Sequence, residues 1–572
     1  MKTFILNIKN LKRKKLNNIT KNETNKRKSK EVKRNSFNHF ILHLFLGFLI
    51  PNIVNANGVV ISNVTLGPQN TTNHYTMINF DISWQNSWKI TTGEPYNWDA
   101  CWVFAKYRKK TTYDWKHCTL NWVAGTGAAD GHIVPGNATI RSSNDNGAGG
   151  AYGVFIYYNT DMSQGPVSYT GVGLRWNYGV DGLFDNDSVE ICVFAIEMVY
   201  VPQGSFYLGD GTTTNIAGQF EAANSGGGGY SGQPFLVTSE NAITLGGGGA
   251  GSLGNHNTSG MWTADDFNNS PSSSKTLPAA FPKGYKAFYC MKYEITQEQY
   301  VEFLNKLTYN QQNTRTGVAP NSAAGTAVLG GGAYRNRIEI MTPGIGTYKP
   351  AVYASELNNN GTYNDATDGQ NIACNYLSWA DVAAYLDWAA LRPMTELEYE
   401  KACRGPSIYS PTNDEFAWGT TFLTQATGIT NPGQNNETAS NAGANINTAS
   451  HPNVPGTMRV GNFGQSVNTR QATGATYYGI MEMSGNALER VVSVGNSTGR
   501  AFTDVNGDGV LNATGDANQP TWPGTGATGA GFRGGGWNSN FTDCRISDRI
   551  YASATNNSRY ASYGGRGVRT AP

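Results

Sequence analysis

The sequence predicts a two-part, β-rich, exported protein: an all-β sandwich followed by an α+β domain with a large irregular share. Three observations carry that reading. Glycine accounts for 69 of 572 residues and charged side chains for 15 %, a loop-rich composition well below the about 25 % charge of ordinary domains. Short runs rich in β-branched and aromatic residues recur from Val59 to Ile196, whereas helical periodicity begins near Thr296. A basic leader precedes both parts.

That leader holds 13 Lys/Arg in its first 36 residues against two acids, Glu23 and Glu31, and an uncharged run with its apolar heart at Phe40 to Ile50 follows. The run is short for a bilayer span and ends in Val54-Asn55-Ala56, a small-residue cleavage pattern. Residues 1–56 therefore read as a signal peptide cut after Ala56, with a retained signal anchor as the alternative. The rest of the chain is expected to be secreted, periplasmic or at the cell surface, touching a membrane only through an uncleaved leader. Without the leader, Lys+Arg falls from 43 to 30 and Asp+Glu from 41 to 39, so the formal charge moves from +2 to −9. A nucleic-acid partner inferred from the basic N-terminus is thereby excluded.

Residues 57–196 supply the sandwich. VVISNVTL, YTMINFDISW, ACWVFAKYRK, YGVFIYYN, VSYTGVGLRW and VEICVFAI are separated by Gly/Asn/Asp/Pro turns, the spacing of an immunoglobulin- or fibronectin-like domain. A spacer role is expected, with ligand binding as the alternative. The seven cysteines, Cys101, Cys118, Cys192, Cys290, Cys374, Cys403 and Cys544, are an odd number, so one thiol is left over or paired between chains. Cys101 and Cys118 are the pair expected to bridge. Histidines are scattered singly, so a transition-metal site built from them is not expected.

Residues 197–572 form the second part. It opens with EMVYVPQGSFYLGDG and is interrupted at about 211–280 by a Gly/Ser-rich, low-complexity stretch with two GGGG runs. Such a stretch has little apolar area to offset its ordering entropy and is expected as a surface insertion, with PFLVTSENAITL adding a hairpin. Thr296 with Gln299, Ser378 with Asp381 and Thr395 with Glu398 each place a capping pair at the start of an apolar-periodic run, so three helices are expected there. In DVNGDGVLNATGD, Asp504, Asn506, Asp508, Val510 and Asn512 take positions 1, 3, 5, 7 and 9 of an EF-hand-type loop around Gly509, with Asp516 one place late. The alternative is a turn that needs no ion. Near the end, Phe532–Arg549, FRGGGWNSNFTDCRISDR, joins a glycine turn, the anchor Trp537 and Cys544, and Arg533, Arg545, Arg549, Arg566 and Arg569 cluster in it and in the closing GRGVRTAP.

MVYVPQGSFYLGD, FYCMKYEITQEQYVEFLN, YLSWADVAAYLDWAALRPMTELEYEKACRG, FAWGT, YGIMEMSGNALER, FRGGGW and GVR, in this order from Glu197 to Arg569, resemble the formylglycine-generating enzyme, or sulfatase-modifying-factor, family. The resemblance implies a loop-rich relative of the C-type lectin fold. It also implies an oxidase activity that rests on two cysteines five positions apart, which hold copper and exchange with a substrate thiol. Here NSNFTDC offers only Cys544, with Ser539 or Arg549 where the second thiol would stand, so the pair is absent and copper is not expected. The His-x-x-x-His-x-Glu motif of the family's iron-dependent branch is missing too. The family's structural calcium implies Asn486 and Glu489 as further ligands, with Arg490 where the family often has Trp. The chain is thus expected to be a calcium-stabilised, non-catalytic protein that binds protein or glycan at the cell surface, with Trp522, Trp537 and Tyr563 as platforms. The alternative is oxidation of a protein cysteine through Cys544.

Overall fold

The structure is a computed structural model that describes residues 58–145, 147, 149–211, 216–224, 231–256, 258, 261–268, 274–464 and 469–572; the expected leader, 1–56, lies outside them. Seven strands of four or more residues lead, with two-residue strands between them: β1 (Val60–Leu66), β2 (Thr76–Lys89), β3 (Asp99–Lys109), β4 (Ala138–Arg141), β5 (Val154–Tyr158), β6 (Met162–Trp176) and β7 (Val189–Val201). The second part contributes β8 (Phe288–Met291), β9 (Arg392–Pro393), β10 (Leu488–Val492), β11 (Ala530–Arg533), β12 (Tyr563–Gly564) and β13 (Gly567–Thr570). Its longer helices are α1 (Gln297–Leu304), α2 (Tyr309–Arg315), α3 (Trp379–Trp388) and α4 (Glu396–Arg404). The fold is mostly antiparallel sheet with few helices, and among the described residues no helix is long and apolar enough to cross a membrane.

Two antiparallel sheets face each other across an apolar core. One carries β1, β2 and β6; the other runs β9-β13-β8-β7-β3-β5-β4. Between them lie Ile78, Phe80, Ile82 and Trp84 of β2, Cys101, Val103 and Ala105 of β3, and Ile191 and Val193 of β7. Along β2, buried and half-buried residues alternate, but β3 is buried at every position from Asp99 to Tyr107. Its reverse face packs on α3: Trp102 Nε1–H donates to the Ala389 carbonyl at 2.8 Å, and the Phe104 and Trp388 rings meet edge to face at 5.3 Å.

The boundary expected after Ile196 falls inside β7. Residues 189–199 pair with β3, while 198–201 pair with β8, so one sheet continues from the first part into the second without a linker. The physical reason is that VEICVFAIEMVYV contains no turn residue, and a strand flanked by partners on both sides propagates.

The Gly/Ser-rich stretch is a second correction. Phe220–Ala222, Leu253–Asn255, Ile243–Leu245 and Lys275–Leu277 build a four-stranded sheet, and Phe220, Phe235, Val237, Leu245, Leu253, Phe267 and Leu277 join the main core. The described residues of 211–280 are therefore largely folded. PFLVTSENAITL makes no hairpin: Phe235–Val237 pairs with Phe206–Leu208, and Ile243–Leu245 with Lys275–Leu277.

The three expected helices form, and each capping box closes as read: Thr296 with Gln299, Ser378 with Asp381, Thr395 with Glu398. All seven cysteines are buried and unbridged. Cys101 and Cys118 cannot meet, because Cys118 N–H donates to the Ala105 carbonyl, four residues along β3 from Cys101. At about 3.3 Å per residue that is roughly 13 Å, beyond the roughly 7 Å Cα separation a disulfide tolerates.

Candidate functional site

The three-stranded sheet β11-β10-β12 positions the C-terminal motif. Two glycines after β11 make a turn that side chains could not: at Gly534 and Gly535 φ is +85° and +64°, and a Cβ on Gly535 would lie 2.5 Å from Cys544 Sγ. Cys544 ends a short 3-10 turn, Phe541–Cys544. Its Sγ lies 3.2 Å from Thr448 Oγ1 and donates to the Asn540 carbonyl at 3.6 Å, and burial pushes the thiol up to about 12. A thiol so placed is a packed core group, since nucleophilic thiols carry lowered values and partial exposure. Neither position offered for a second thiol is open to chemistry: Ser539 Oγ accepts from Gly536 N–H at 3.0 Å, and Arg549 is held by carboxylates.

The clustered arginines are internal. Glu396 takes Arg533 Nη1 at 3.1 Å and Arg549 Nε at 2.7 Å; Glu400 takes Arg533 Nη2 at 2.6 Å; Asp265, inside the Gly/Ser-rich stretch, takes Arg549 Nη1 at 2.6 Å. Arg566 forms a two-point contact with Glu489 at 2.6 and 2.8 Å, Arg569 pairs with Asp145 at 2.5 Å, and Arg545 pairs with Asp414 at 3.1 Å. Paired guanidinium and carboxylate groups are what low-dielectric burial permits.

The expected calcium ligands do not fit an ion in this arrangement. Glu489 is occupied by Arg566, and Asn486 Oδ1 accepts from Met458 N–H at 2.8 Å and Asn447 Nδ2 at 3.2 Å. In the EF-hand-like loop, Asp504 pairs with Lys286 at 3.6 Å and Asp516 with Arg315 at 2.5 Å. Asp508 and Asn512 accept backbone N–H groups of their own turn, Val510 at 2.8 Å and Thr514 at 3.0 Å, while Asn506 Oδ1 accepts from Thr570 N–H at 3.4 Å. Val510 is half exposed. Among the described residues no group of three His, Cys, Asp or Glu is placed to hold a metal. What organises the loop is Asp387 at the end of α3, which accepts from Asp508 N–H at 3.1 Å, Asn518 N–H at 2.9 Å and Gln519 Nε2 at 3.1 Å.

The three expected platforms separate. Trp522 is buried in the main core with Nε1–H on the Val505 carbonyl at 3.1 Å. Trp537 is buried with Nε1–H on the Ala561 carbonyl at 2.9 Å, but its ring meets Tyr334 at 5.1 Å, and Tyr334 is 47 % exposed. Tyr563 is half-buried and meets Phe532 at 4.3 Å and Tyr560 at 5.5 Å; Tyr560 is 55 % exposed. Tyr376 links the two halves, its N–H donating to the Tyr560 carbonyl at 3.1 Å. Burial raises its phenol, with smaller contributions from Tyr334 and Tyr560. Tyr334 and Tyr376 both have positive φ, +51° and +58°, a strained state for bulky residues that clusters at functional sites.

Arg490 lies beneath this patch, 3.9 Å from the Phe532 ring and 5.0 Å from the Tyr563 ring. It donates to the Asn556 carbonyl at 2.8 Å, yet its Nε and Nη2 are buried without hydrogen-bond partners, and burial lowers the guanidinium to about 9. Sequence reasoning points to none of Tyr334, Tyr376 and Tyr560, and to Arg490 only as a departure from the family's usual Trp. The one available signal was the Tyr/Ser/Asn/Gly-rich run SATNNSRYASYGG.

A family model described as sulfatase-modifying factor enzyme 1-like domain (FGE-sulfatase) matches residues 247–571, starting within the Gly/Ser-rich stretch. No curated protein matches. Among 24 matching chains of solved structures is Treponema denticola variable protein 1, at 13 % identity over 66 % of this chain and 96 % of that one. Its TM-score of 0.27 is too low to bear on fold or function. The family model spans more than half of the chain and agrees with the motif order in its second part: this protein belongs to the sulfatase-modifying factor enzyme 1-like family.

Proposed function

We propose that this chain is an exported, non-catalytic family member that binds a protein ligand at the cell surface through Tyr334, Tyr376, Tyr560 and Tyr563. In this reading the first part is an immunoglobulin-like spacer, and the second is a lectin-like framework that holds the tyrosines rigid. The observation that carries the reading is a tyrosine patch exposed at Tyr334 and Tyr560 and strained at Tyr334 and Tyr376, with Tyr334 over buried Trp537 and Tyr560 in a segment rich in Tyr, Ser, Asn and Gly. That is the composition of protein-binding paratopes, in which Tyr supplies contact area at low entropic cost. The buried Cys544, with its raised thiol, supports binding over oxidation.

The test is binding of fluorescent purified protein to intact cells of the producing organism. Tyr334→Ala/Tyr560→Ala is expected to lower binding at least about tenfold, the scale of a hot-spot loss, with unchanged melting temperature. Protease treatment of the cells should abolish binding and periodate should not; the reverse pattern would assign a glycan instead. Copper-dependent aldehyde formation on a Cys-containing peptide, lost in Cys544→Ala, would sink the non-catalytic reading.

A further inference from the structure

On the core face of the long sheet, three buried ionisable side chains meet. Asp99 opens β3, Glu197 lies within β7 opposite Cys101, and Lys292 follows β8, its N–H on the Glu197 carbonyl at 2.9 Å. That register turns all three side chains to one face. Lys292 Nζ lies 3.3 Å from Asp99 Oδ2 and 3.1 Å from Glu197 Oε2, and none of the three is more than 4 % exposed. Aromatic groups wall the chamber: the Trp88 and Tyr293 rings lie 4.9 and 5.5 Å from Nζ, and Trp84 Nε1–H donates to Asp99 Oδ2 at 3.2 Å.

Two details set this cluster apart from a plain buried ion pair. Glu197 Oε1 makes no hydrogen bond of good geometry, and only the Gly58 N–H is near enough to the carboxyl group to support it, a weak satisfaction for a buried carboxylate that serves only as counter-ion. Asp99 Oδ1, by contrast, accepts from Ser87 Oγ at 2.5 Å and from Trp88 N–H at 3.3 Å, two donors placed where negative charge would develop if the carboxyl carbon were attacked. Burial pushes both carboxyl groups up; it pulls Lys292 down, but Tyr293, Glu197 and Asp99 outweigh it and raise the ammonium, so the chamber keeps one cation and favours one proton shared between the acids, and the condensation has to draw the cation's proton onto Glu197.

We propose that Lys292 and Asp99 condense into an isopeptide bond, with Glu197 as the proton carrier. The Lys292 ammonium passes a proton to Glu197, and the freed amine attacks Cγ of the protonated Asp99 carboxyl group, with Oδ1 held by Ser87 and Trp88. Glu197 returns a proton to the departing Oδ2 hydroxyl and takes one from the amide nitrogen. The C–N bond forms, the C–Oδ2 bond breaks, one water leaves, and Glu197 ends protonated. No oxidant, reductant or activated leaving group is needed. The amide would bridge β3 and β8 across β7, locking the first part of the chain to the second where the sheet passes between them.

Intact-mass spectrometry of the purified full chain tests this directly. The expected mass, reckoned from the observed N-terminus, is that of the sequence less one water. Trypsin should yield peptide 90–106 joined to 287–306, uncut at Lys292. General acid–base help is worth about 10²–10⁴-fold, so Glu197→Gln is expected to keep the full mass under conditions where the wild type converts completely. A wild-type chain at full sequence mass, with free peptides 90–106 and 287–292, would overturn the proposal whether or not the variant folds. A Glu197→Gln chain that still loses water would overturn the role of Glu197.

Discussion

Replacing Glu396 by Gln tests whether the arginines of the C-terminal motif are structural or substrate-binding. Its carboxylate takes three contacts from two guanidinium groups, Arg533 Nη1 and Arg549 Nε and Nη2, and a fourth from Val494 N–H at 2.8 Å. The change preserves shape but removes the charge, leaving Arg533 on Glu400 and Arg549 on Asp265. Breaking such a fully buried pairing costs about 3–5 kcal/mol, which at about 1.4 kcal/mol per decade lowers the folding constant at least a hundredfold. Urea titration followed by tryptophan fluorescence measures it as a fall in midpoint at constant slope. Asp504→Asn, which breaks the half-exposed pair with Lys286, is the control and should cost no more than about 1 kcal/mol. If Glu396→Gln shifts the midpoint no further than Asp504→Asn, the arginines are not the internal frame described above.

Gly535→Ala should destabilise by about 2–3 kcal/mol, from strain at positive φ plus the clash with Cys544, and should cost less in a Cys544→Ala background; additive losses would refute the contact. Burial pushes Asp548 up to about 7. A carboxyl raised in the folded state binds its proton more tightly there than when unfolded, so stability falls as pH rises from about 4 to 7 and then levels. Asp548→Asn should flatten that slope, and an unchanged slope would count against it. Because the proposed calcium ligands are engaged by protein donors, EDTA should leave the melting temperature unchanged; a fall reversed by calcium would restore the ion. Residues 197–572 expressed alone should be insoluble, because the cut splits β7 and bares the α3 face covered by Trp102 and Phe104; a soluble, cooperatively unfolding fragment would refute the shared sheet.

The locally encoded features were legible. A Thr or Ser with Gln, Asp or Glu three residues on defines a capping box without reference to the rest of the chain, and all three such readings formed. The same signal at Thr308 and Gln311 also starts a helix, α2, and went unread for want of an apolar stripe in YNQQNTR. Features decided by distant partners were not legible. In the Gly/Ser-rich stretch, single apolar residues such as Phe220, Leu245 and Leu277 look too sparse to order a segment, yet each enters a core supplied by other elements. Asp265 acquires its meaning largely from Arg549 and Ser553, 284 and 288 residues away. The β7 boundary differs for the same reason: the motif EMVYVPQGSFYLGDG begins at Glu197, but hydrogen bonding to β3 and β8 does not stop there.

In the C-terminal motif residue type alone does not assign chemistry. A glycine turn, a tryptophan, a cysteine and arginines can compose a reaction centre or the closure of a domain, and burial and partners separate the two. Here the cysteine is enclosed against Thr448, Trp537 spends its indole N–H on Ala561, and each arginine meets a carboxylate. The reactive features lie one step away. The strained tyrosines sit near the surface above this closure, and the weakly satisfied carboxyl group of Glu197 sits beside an amine and a second carboxyl group in the seam between the two parts. The motif that looks most like an active site directs its thiol, its indole and its arginines to partners within the domain, whereas Tyr334 and Tyr376 carry their strain near the surface.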